Sequence, residues 1–589
     1  MNKVRKVYFY QKLGLFNYLF SKLKSEKIFY IDKSIPLRVL ASLFALDISL
    51  NAKPIWFGDV SKATGIRKSA YEAALKKVTS NKNHALCGHL KNITSINLEL
   101  IMDKLLMEHY FRQEEFLAFS RQYVAENPDV DVVQMRNTNR ISLKGELLIC
   151  NFKLMCVNNL LYLSGILLIP FYWIYFVIKN RSPGKGSEFP LRNLILCEVD
   201  SPKVYEMFSS IFLEQKVFKS FIQKPYLNNF MEAELSKLDI SCHSIGEGDR
   251  RLLKAISFRF LANAFLNYRE LSRFGFFYFE LYKVIAKGLL ITPHSRYCTF
   301  LTFEHMSTEK AVRNEFLRAF DNTSIFIPYN TYAIDHYYVP EYRYNYDVLC
   351  SPSKLLESIY HFQRATTSIF LPTGPFNCYS KSSNQDDFSI NRLSVLEEFK
   401  AGNLAITILS SGIQDETISG EARLMKLAKK LSYVNGVKIF IRPKPVAPPK
   451  KYADYLIDCF RNNENVYLTD ASYDLLDFLP VTDLFITGMS SSAVDLCNAG
   501  AEFFSIDFWS DKDMYIWQTA VDGVFLEEAS ALATILDWVN DNPPGARVAH
   551  TKRMGELREL ISYKFDSFED YKINILKRLD TYLPTDVHL

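Results

Sequence analysis

Between Leu404 and Ile506 the chain repeats one pattern: a short apolar run, a turn, then a stretch with helical spacing. The runs are Leu404–Ser410, Val437–Ile441, Asn465–Leu468, Asp483–Thr487 and Glu502–Ile506. Helices are expected over about Glu421–Tyr433, Lys450–Arg461, Tyr473–Leu479 and Ala493–Asn498. Runs this short and this apolar are buried strands, and strands separated by helices pair in parallel through crossover connections. The pattern therefore predicts a doubly wound parallel sheet.

Upstream the pattern continues with interruptions. Lys27–Ile31, Asn193–Glu198, Asp239–His243, Tyr297–Phe303 and Ser324–Ile327 read as strands between helical stretches. The expected fold class is α/β, with two Rossmann-like domains, a cleft between them and a helical, membrane-associating insertion in the N-terminal half. Residues 1–375 form the first domain and carry the insertion at 154–178. Polar, turn-rich residues 376–400 form a linker, 401–545 the second domain, and 546–589 helices that pack back across both. With 48% hydrophobic and 23% charged residues over 589 positions, the chain has ample material for a core. A net charge of +5 is too mild to point to nucleic acid as a partner. The ten cysteines show no CxxC spacing, which suits a reducing compartment and offers no zinc knuckle. The start, MNKVRKVYFYQKLG, lacks the apolar core of a secretory signal, so a cytosolic chain is expected.

The insertion qualifies that. From Leu154 to Ile178 no residue is charged, long enough to span a bilayer, although Pro170 interrupts the run. The first 33 residues add eight Lys/Arg against two Asp/Glu, interleaved with Tyr8, Phe9, Tyr10, Phe16 and Tyr18. Basic residues mixed with aromatics suit an anionic membrane surface. A core helix is the alternative for 154–178; membrane contact is preferred, with spanning, re-entrant and flat placements all open.

In an open parallel sheet, ligands bind beyond the C-terminal strand ends. Two loops of the C-terminal half leave such ends. Arg442-Pro443-Lys444-Pro445 sets two cations in proline-stiffened backbone, a preorganised contact for a diphosphate. Thr487-Gly488-Met489-Ser490-Ser491-Ser492 enters the helix at Ala493, where hydroxyls and exposed N–H groups can hold a phosphate. Ser411 and Gly412, in the loop after the first strand, are further candidates for cradling the donor.

Together these two loops resemble the donor half of GT-B glycosyltransferases. The pattern R-x-(H/K)-P, followed some forty residues on by I-T-x-x-S-S-x-x-x-D, is similar to that of CDP-glycerol glycerophosphotransferases. It is also similar to the HP and S motifs of sialyl- and Kdo-type transferases. The matching residues are Arg442, Lys444 and Pro445, then Ile486, Thr487, Ser490, Ser491 and Asp495. The resemblance implies that this half binds a CMP-, CDP- or UDP-linked donor, with no separate cofactor. It implies an acceptor entering from the N-terminal half, a lipid-linked or polymeric glycan of the bacterial surface, at the cytoplasmic face of the inner membrane. Lys444 stands where the family usually has His, a cation that does not titrate near neutral pH.

A hydroxyl acceptor needs a group to take its proton. Glu304 and His305 end the strand Tyr297–Phe303; Asp335 and His336 follow the next; Glu247 sits in SIGEGDRR after Asp239–His243. The sequence has no GxxxxGK[ST], HExxH or GxSxG, and no metal is expected. The expected function is transfer of a sugar or polyol-phosphate unit from a nucleotide-activated donor to a surface-polysaccharide acceptor. The alternatives are a UDP-sugar 2-epimerase-like enzyme and a non-catalytic membrane-bound scaffold of polysaccharide assembly.

Overall fold

The computed structural model describes residues 5–13, 27–33, 52–54, 64–80, 96–111, 130–134, 152–179, 191–199, 202–212, 218–223, 241–243, 247–302, 307–327, 345–351, 367–374, 387–410, 420–443, 450–469, 473–488, 492–508, 521–561 and 568–584, a few positions within these ranges excepted. The described elements form three large parallel sheets and one two-stranded parallel ribbon, clothed in helices.

The first sheet holds β1 (Arg5–Leu13), β2 (Lys27–Lys33), β3 (Ala52–Pro54) and β4 (Val130–Gln134) in the order β3-β2-β1-β4. The basic, aromatic start, read above as suited to a membrane surface, is thus an inner strand, with Tyr8 opposite both Ile28 and Val133. Val, Phe and Tyr favour strands as much as they favour interfaces, and composition cannot separate the two. Helix α1 (Thr64–Ser80) and a helical stretch over 98–108 contribute Tyr71, Ala74, Met102 and Leu106 to a core shared with the helices that follow. This sheet is separate from the larger one that follows within residues 1–375.

The uncharged run is helix α2 (Phe152–Lys179). Among the described residues no helix is long and apolar enough to cross a membrane. Strands β5 (Leu191–Arg192), β6 (Ile195–Glu198), β7 (Phe218–Gln223), β8 (Ser241–His243), β9 (Ser295–Arg296), β10 (Thr299–Thr302), β11 (Thr323–Phe326), β12 (Val348–Ser351) and β13 (Ile369–Pro372) follow. β5 pairs with β9; the other seven form a parallel sheet in the order β13-β12-β11-β10-β6-β7-β8. Its helices are α3 (Pro202–Phe212), α4 (Glu247–Leu266), α5 (Phe277–Leu290) and α6 (Thr308–Ala319).

Helices α5 and α6 cross closely at Gly288. A Cβ there would lie 2.3 Å from Val312 Cγ1 and 2.9 Å from the Glu309 carbonyl oxygen. Gly288→Ala would gain about 1 kcal/mol in helix propensity, but overpacking typically costs ~1–3 kcal/mol, so the clash wins. Urea unfolding of Gly288→Ala is expected to show lower stability; an equal or higher midpoint would mean that the two helices separate freely.

The third sheet comprises β14 (Leu404–Leu409), β15 (Val437–Arg442), β16 (Val466–Leu468), β17 (Leu484–Thr487), β18 (Phe503–Asp507) and β19 (Phe525–Glu527), in the order β16-β15-β14-β17-β18-β19. Around it lie α7 (Asp387–Lys400), α8 (Gly420–Leu431), α9 (Lys450–Phe460), α10 (Ser492–Asn498), α11 (Glu528–Asn540) and α12 (Ala546–Ile561), and α13 (Phe568–Leu579) follows in the chain. Side chains alternate between its faces as the pleat requires. Ile406, Ile408, Ile439, Ile441, Ile486 and Phe504 meet Leu424 and Ala428 of α8, Leu456 of α9 and Ile535 of α11. Ala405, Phe440, Phe485 and Phe503 meet Leu396 of α7, Leu496 of α10 and Met554 of α12. Burial on both faces explains why these strands are continuous apolar runs.

Residues 387–400, placed in a linker by their polar neighbourhood, are helical as α7, whose Leu396 shares a core with Phe326 and Leu349 of the second sheet. Helix α13 returns to that second sheet. Its Tyr571, Ile575 and Leu579 pack with Ile195, Leu301, Ile325 and Val348, and Thr299 Oγ1 donates to the Tyr582 carbonyl.

Candidate functional site

Strand order fixes where a ligand can bind. In the third sheet the chain starts at β14, builds outward through β15 and β16, then returns to the other side of β14 with β17, β18 and β19. The connections after β14 and β17 therefore diverge to opposite faces, opening a crevice at the C-terminal edge between them, where open α/β sheets bind ligands. All pairings are parallel, so β14, β15 and β17 end together. Leu409 lies opposite Arg442 on one side and opposite Thr487 on the other. The Arg442 and Thr487–Ser492 loops thus leave the same edge, one on each side of β14 and about 10 Å apart at two strand spacings.

The two loops are anchored differently. Arg442 closes a run buried from Ile439 onward and is itself only 8% exposed. Its Nε donates to the Tyr473 carbonyl at 3.3 Å, so the guanidinium braces the turn after β16. Pro443 follows; Lys444 lies outside the described residues. On the other side, Thr487 is fully buried and its Oγ1 has no hydrogen-bond partner among the described residues. Ser505 Oγ donates to the Gly488 carbonyl at 3.2 Å, tying this turn to β18. Among the described residues, a Cβ at Gly488 would come no closer than 4.0 Å, to the Phe508 ring. Ser492 and Asp495 occupy the first turn of α10. Ser411, Gly412, Ser490 and Ser491 lie outside the described residues. Asp507, 7% exposed at the end of β18, is an acid on this edge that the sequence reading did not single out.

The second sheet has its own reversal, between β6 and β10. A buried charge cluster fills it. Glu198, the last residue of β6, accepts from Thr302 Oγ1 at the end of β10 (2.7 Å), from Arg313 Nη1 (2.7 Å) and from the Lys310 ammonium. Glu198, Lys310 and Arg313 are each 5% exposed or less. Burial by itself would raise the Glu198 carboxyl, but Lys310 and Arg313 beside it and hydrogen bonds from Lys310 and Thr302 outweigh that and hold it down to about 2. Arg313 also stacks over Phe300 at 4.6 Å, and its Nε and Nη2 donate to Asn314 Oδ1 at 3.2 and 3.1 Å. The cluster carries one net positive charge and pins both ends of the β10–α6 connection, since Thr302 precedes it and Ser307 caps α6 by accepting from the Lys310 N–H. The only hints in sequence were a carboxylate closing the apolar run NLILCE and cations three apart in EKAVRNEF.

The proposed bases sit at different strands of this sheet. Glu304 and His305 belong to the β10–α6 connection, beside the reversal, and lie outside the described residues, as do Asp335 and His336. Glu247 is the first residue of α4, which follows β8, two strands beyond β6 and so about 10 Å from the reversal.

The sheets and their reversals define a mixed α/β protein with Rossmann-like parallel sheets. No family model matches the chain, and no curated protein matches it in sequence. Solved structures of GT-B type are similar to it at low identity. A provisionally assigned UDP-N-acetylglucosamine 2-epimerase from Listeria monocytogenes is 12% identical with a TM-score of 0.41, over 68% of this chain and 100% of that one. The wall teichoic acid polymerase TagF is 12% identical with a TM-score of 0.38, over 73% and 98%. S. aureus MnaA bound to UDP is 9% identical with a TM-score of 0.41, over 67% and 97%.

Proposed function

We propose that the chain is a glycosyltransferase, or a glycerophosphotransferase-like enzyme, that uses a nucleotide-activated donor to extend a bacterial surface polysaccharide. The observation that carries this reading is the reversal between β14 and β17, with the Arg442–Lys444 and Thr487–Ser492 loops leaving its two flanks at one edge. In this reading Lys444, two positions after the buried Arg442, neutralises the leaving phosphate, and Ser490, Ser491, Ser492 and Asp495 belong to its binding turn. Ser411 and Gly412 border the donor from the β14 connection.

In the transfer step an acceptor hydroxyl attacks the donor carbon or phosphorus. Its bond to the nucleotide phosphate breaks, the nucleotide departs with the electron pair, and the hydroxyl proton passes to the base. Glu304 or His305 is the better placed base, because the β10–α6 connection borders the second reversal; Glu247 is the more distant candidate. No cofactor enters this scheme, and the donor is CMP-, CDP- or UDP-linked. The acceptor is a lipid-linked or polymeric glycan at the membrane surface, on the cytoplasmic side.

A thermal-shift screen of the full chain against CMP, CDP, UDP and GDP tests the reading. One pyrimidine nucleotide is expected to raise the melting temperature, since a ligand bound only by the folded state stabilises it by about 2.7 kcal/mol at 100 times Kd. No shift with any of the four would favour the scaffold reading.

A further inference from the structure

Helix α2 is two-faced along its length. Leu160, Leu163, Leu167, Phe171, Ile174 and Ile178 are 40–70% exposed and recur at spacings of three and four, one stripe along about 27 Å of helix. The opposite face is locked to the protein. Tyr162, Ile166 and Ile169 are buried in the core formed with α4 and α5, and Tyr162 Oη donates to the Ala264 carbonyl of α4 at 3.1 Å. Further on, Tyr172 meets Tyr282 of α5 at 6.2 Å, and the Tyr282 hydroxyl bonds Ser257 of α4. Position 162 thus sits by 264 and position 172 by 257: α4 runs antiparallel to α2.

Helix α4 extends the apolar surface with Phe258, Phe265 and Leu266, 71%, 65% and 83% exposed. Its N-terminal part, beside the end of α2 that carries Ile174 and Ile178, exposes Arg251, Lys254 and Arg259. Those cations lie where the chain leaves β8, at the C-terminal edge of the second sheet. An exposed apolar stripe on a folded helix marks an interaction face, and a basic flank beside it matches anionic headgroups.

We infer that the exposed faces of α2 and α4 form an in-plane docking surface for a bilayer rich in anionic phospholipid, with α2 lying flat on it rather than spanning. A spanning α2 would have to strip Tyr162, Ile166 and Ile169 from their core; docking leaves that core intact. The basic end of the surface brings the C-terminal edge of the second sheet to the membrane, the edge at which an acceptor is expected. The surface and the membrane acceptor are independent in test, because binding to vesicles needs no donor and no turnover.

The experiment is flotation of the full-length protein with vesicles of phosphatidylglycerol and phosphatidylethanolamine, against vesicles of phosphatidylcholine alone. At least tenfold stronger partitioning to the anionic vesicles is expected. Leu167→Glu with Phe171→Glu should reduce it tenfold or more at an unchanged melting temperature, and Arg251→Glu with Lys254→Glu should remove the preference for anionic lipid. Single fluorophores at positions 160, 167 and 178, read by depth-dependent quenching, should all report shallow insertion. Failure to float, flotation untouched by the Leu167/Phe171 pair, deep burial of position 167 alone, or a soluble dimer that the same pair dissociates would each overturn the assignment.

Discussion

Replacing Glu198 by glutamine is expected to destabilise the chain by about 3–5 kcal/mol, the usual cost of leaving buried charge without its partner. The amide could still accept from Thr302, but Lys310 and Arg313 would lose the carboxylate they share while staying at 2% and 0% exposure. Urea unfolding reads the loss directly. A second variant distinguishes charge from shape: Glu198→Gln combined with Lys310→Met should recover part of the stability, since a buried pair replaced by apolar volume is often neutral. Equal loss in both would show that packing, not charge, sets the cost. The pH dependence has a definite sign. The carboxyl is held at about 2 in the fold, below its value in the unfolded chain, so its contribution of about 3 kcal/mol is complete above pH 5 and lost as pH falls from there toward 2. The wild type should lose this increment over that window, and Glu198→Gln should lack it.

The second large effect concerns turnover. Under the proposed function, Lys444→Ala and Ser491→Ala are each expected to lower transfer by about 10²–10³-fold, the typical cost of one preorganised charge-stabilising donor. Both should keep the wild-type melting temperature without ligand and lose the nucleotide-dependent shift. Arg442→Ala is a different experiment: Arg442 is buried and bonded to the Tyr473 carbonyl, so its loss unsettles the fold as well as the site. Transfer near the wild-type rate in both Lys444→Ala and Ser491→Ala would falsify the site assignment.

The legibility of this fold in its sequence follows burial. β14, β15, β17 and β18 are buried on both faces, so Leu404–Leu409 or Phe503–Asp507 stands out as an apolar run between helices. β1 was illegible as a strand because Arg5, Lys6 and Lys12 flank its aromatics, a composition shared with membrane-surface segments. β3 has three residues and contains Pro54, too short and too broken to register. Helix α7 was hidden by the polar residues preceding it, though Leu393, Leu396 and Phe399 carry helical spacing. At the candidate site, the two loops were readable because each sits directly after a recognisable strand. The Glu198 cluster was not, because Glu198 and Lys310 are 112 positions apart and only the β6–β10 neighbourhood brings them together.

The return of α13 has a consequence for how the polypeptide is made. Tyr571, Ile575 and Leu579 complete the cover that Val204, Phe208 and Phe212 of α3 begin over a sheet whose first strand starts at Ile195, so nearly four hundred residues leave the ribosome before that face is fully closed. Throughout that interval part of the nascent sheet's apolar face lacks its final cover, a state prone to aggregation. Premature stops or bulky fusions within the final turns should therefore harm solubility far more than their distance from any loop of the site would suggest.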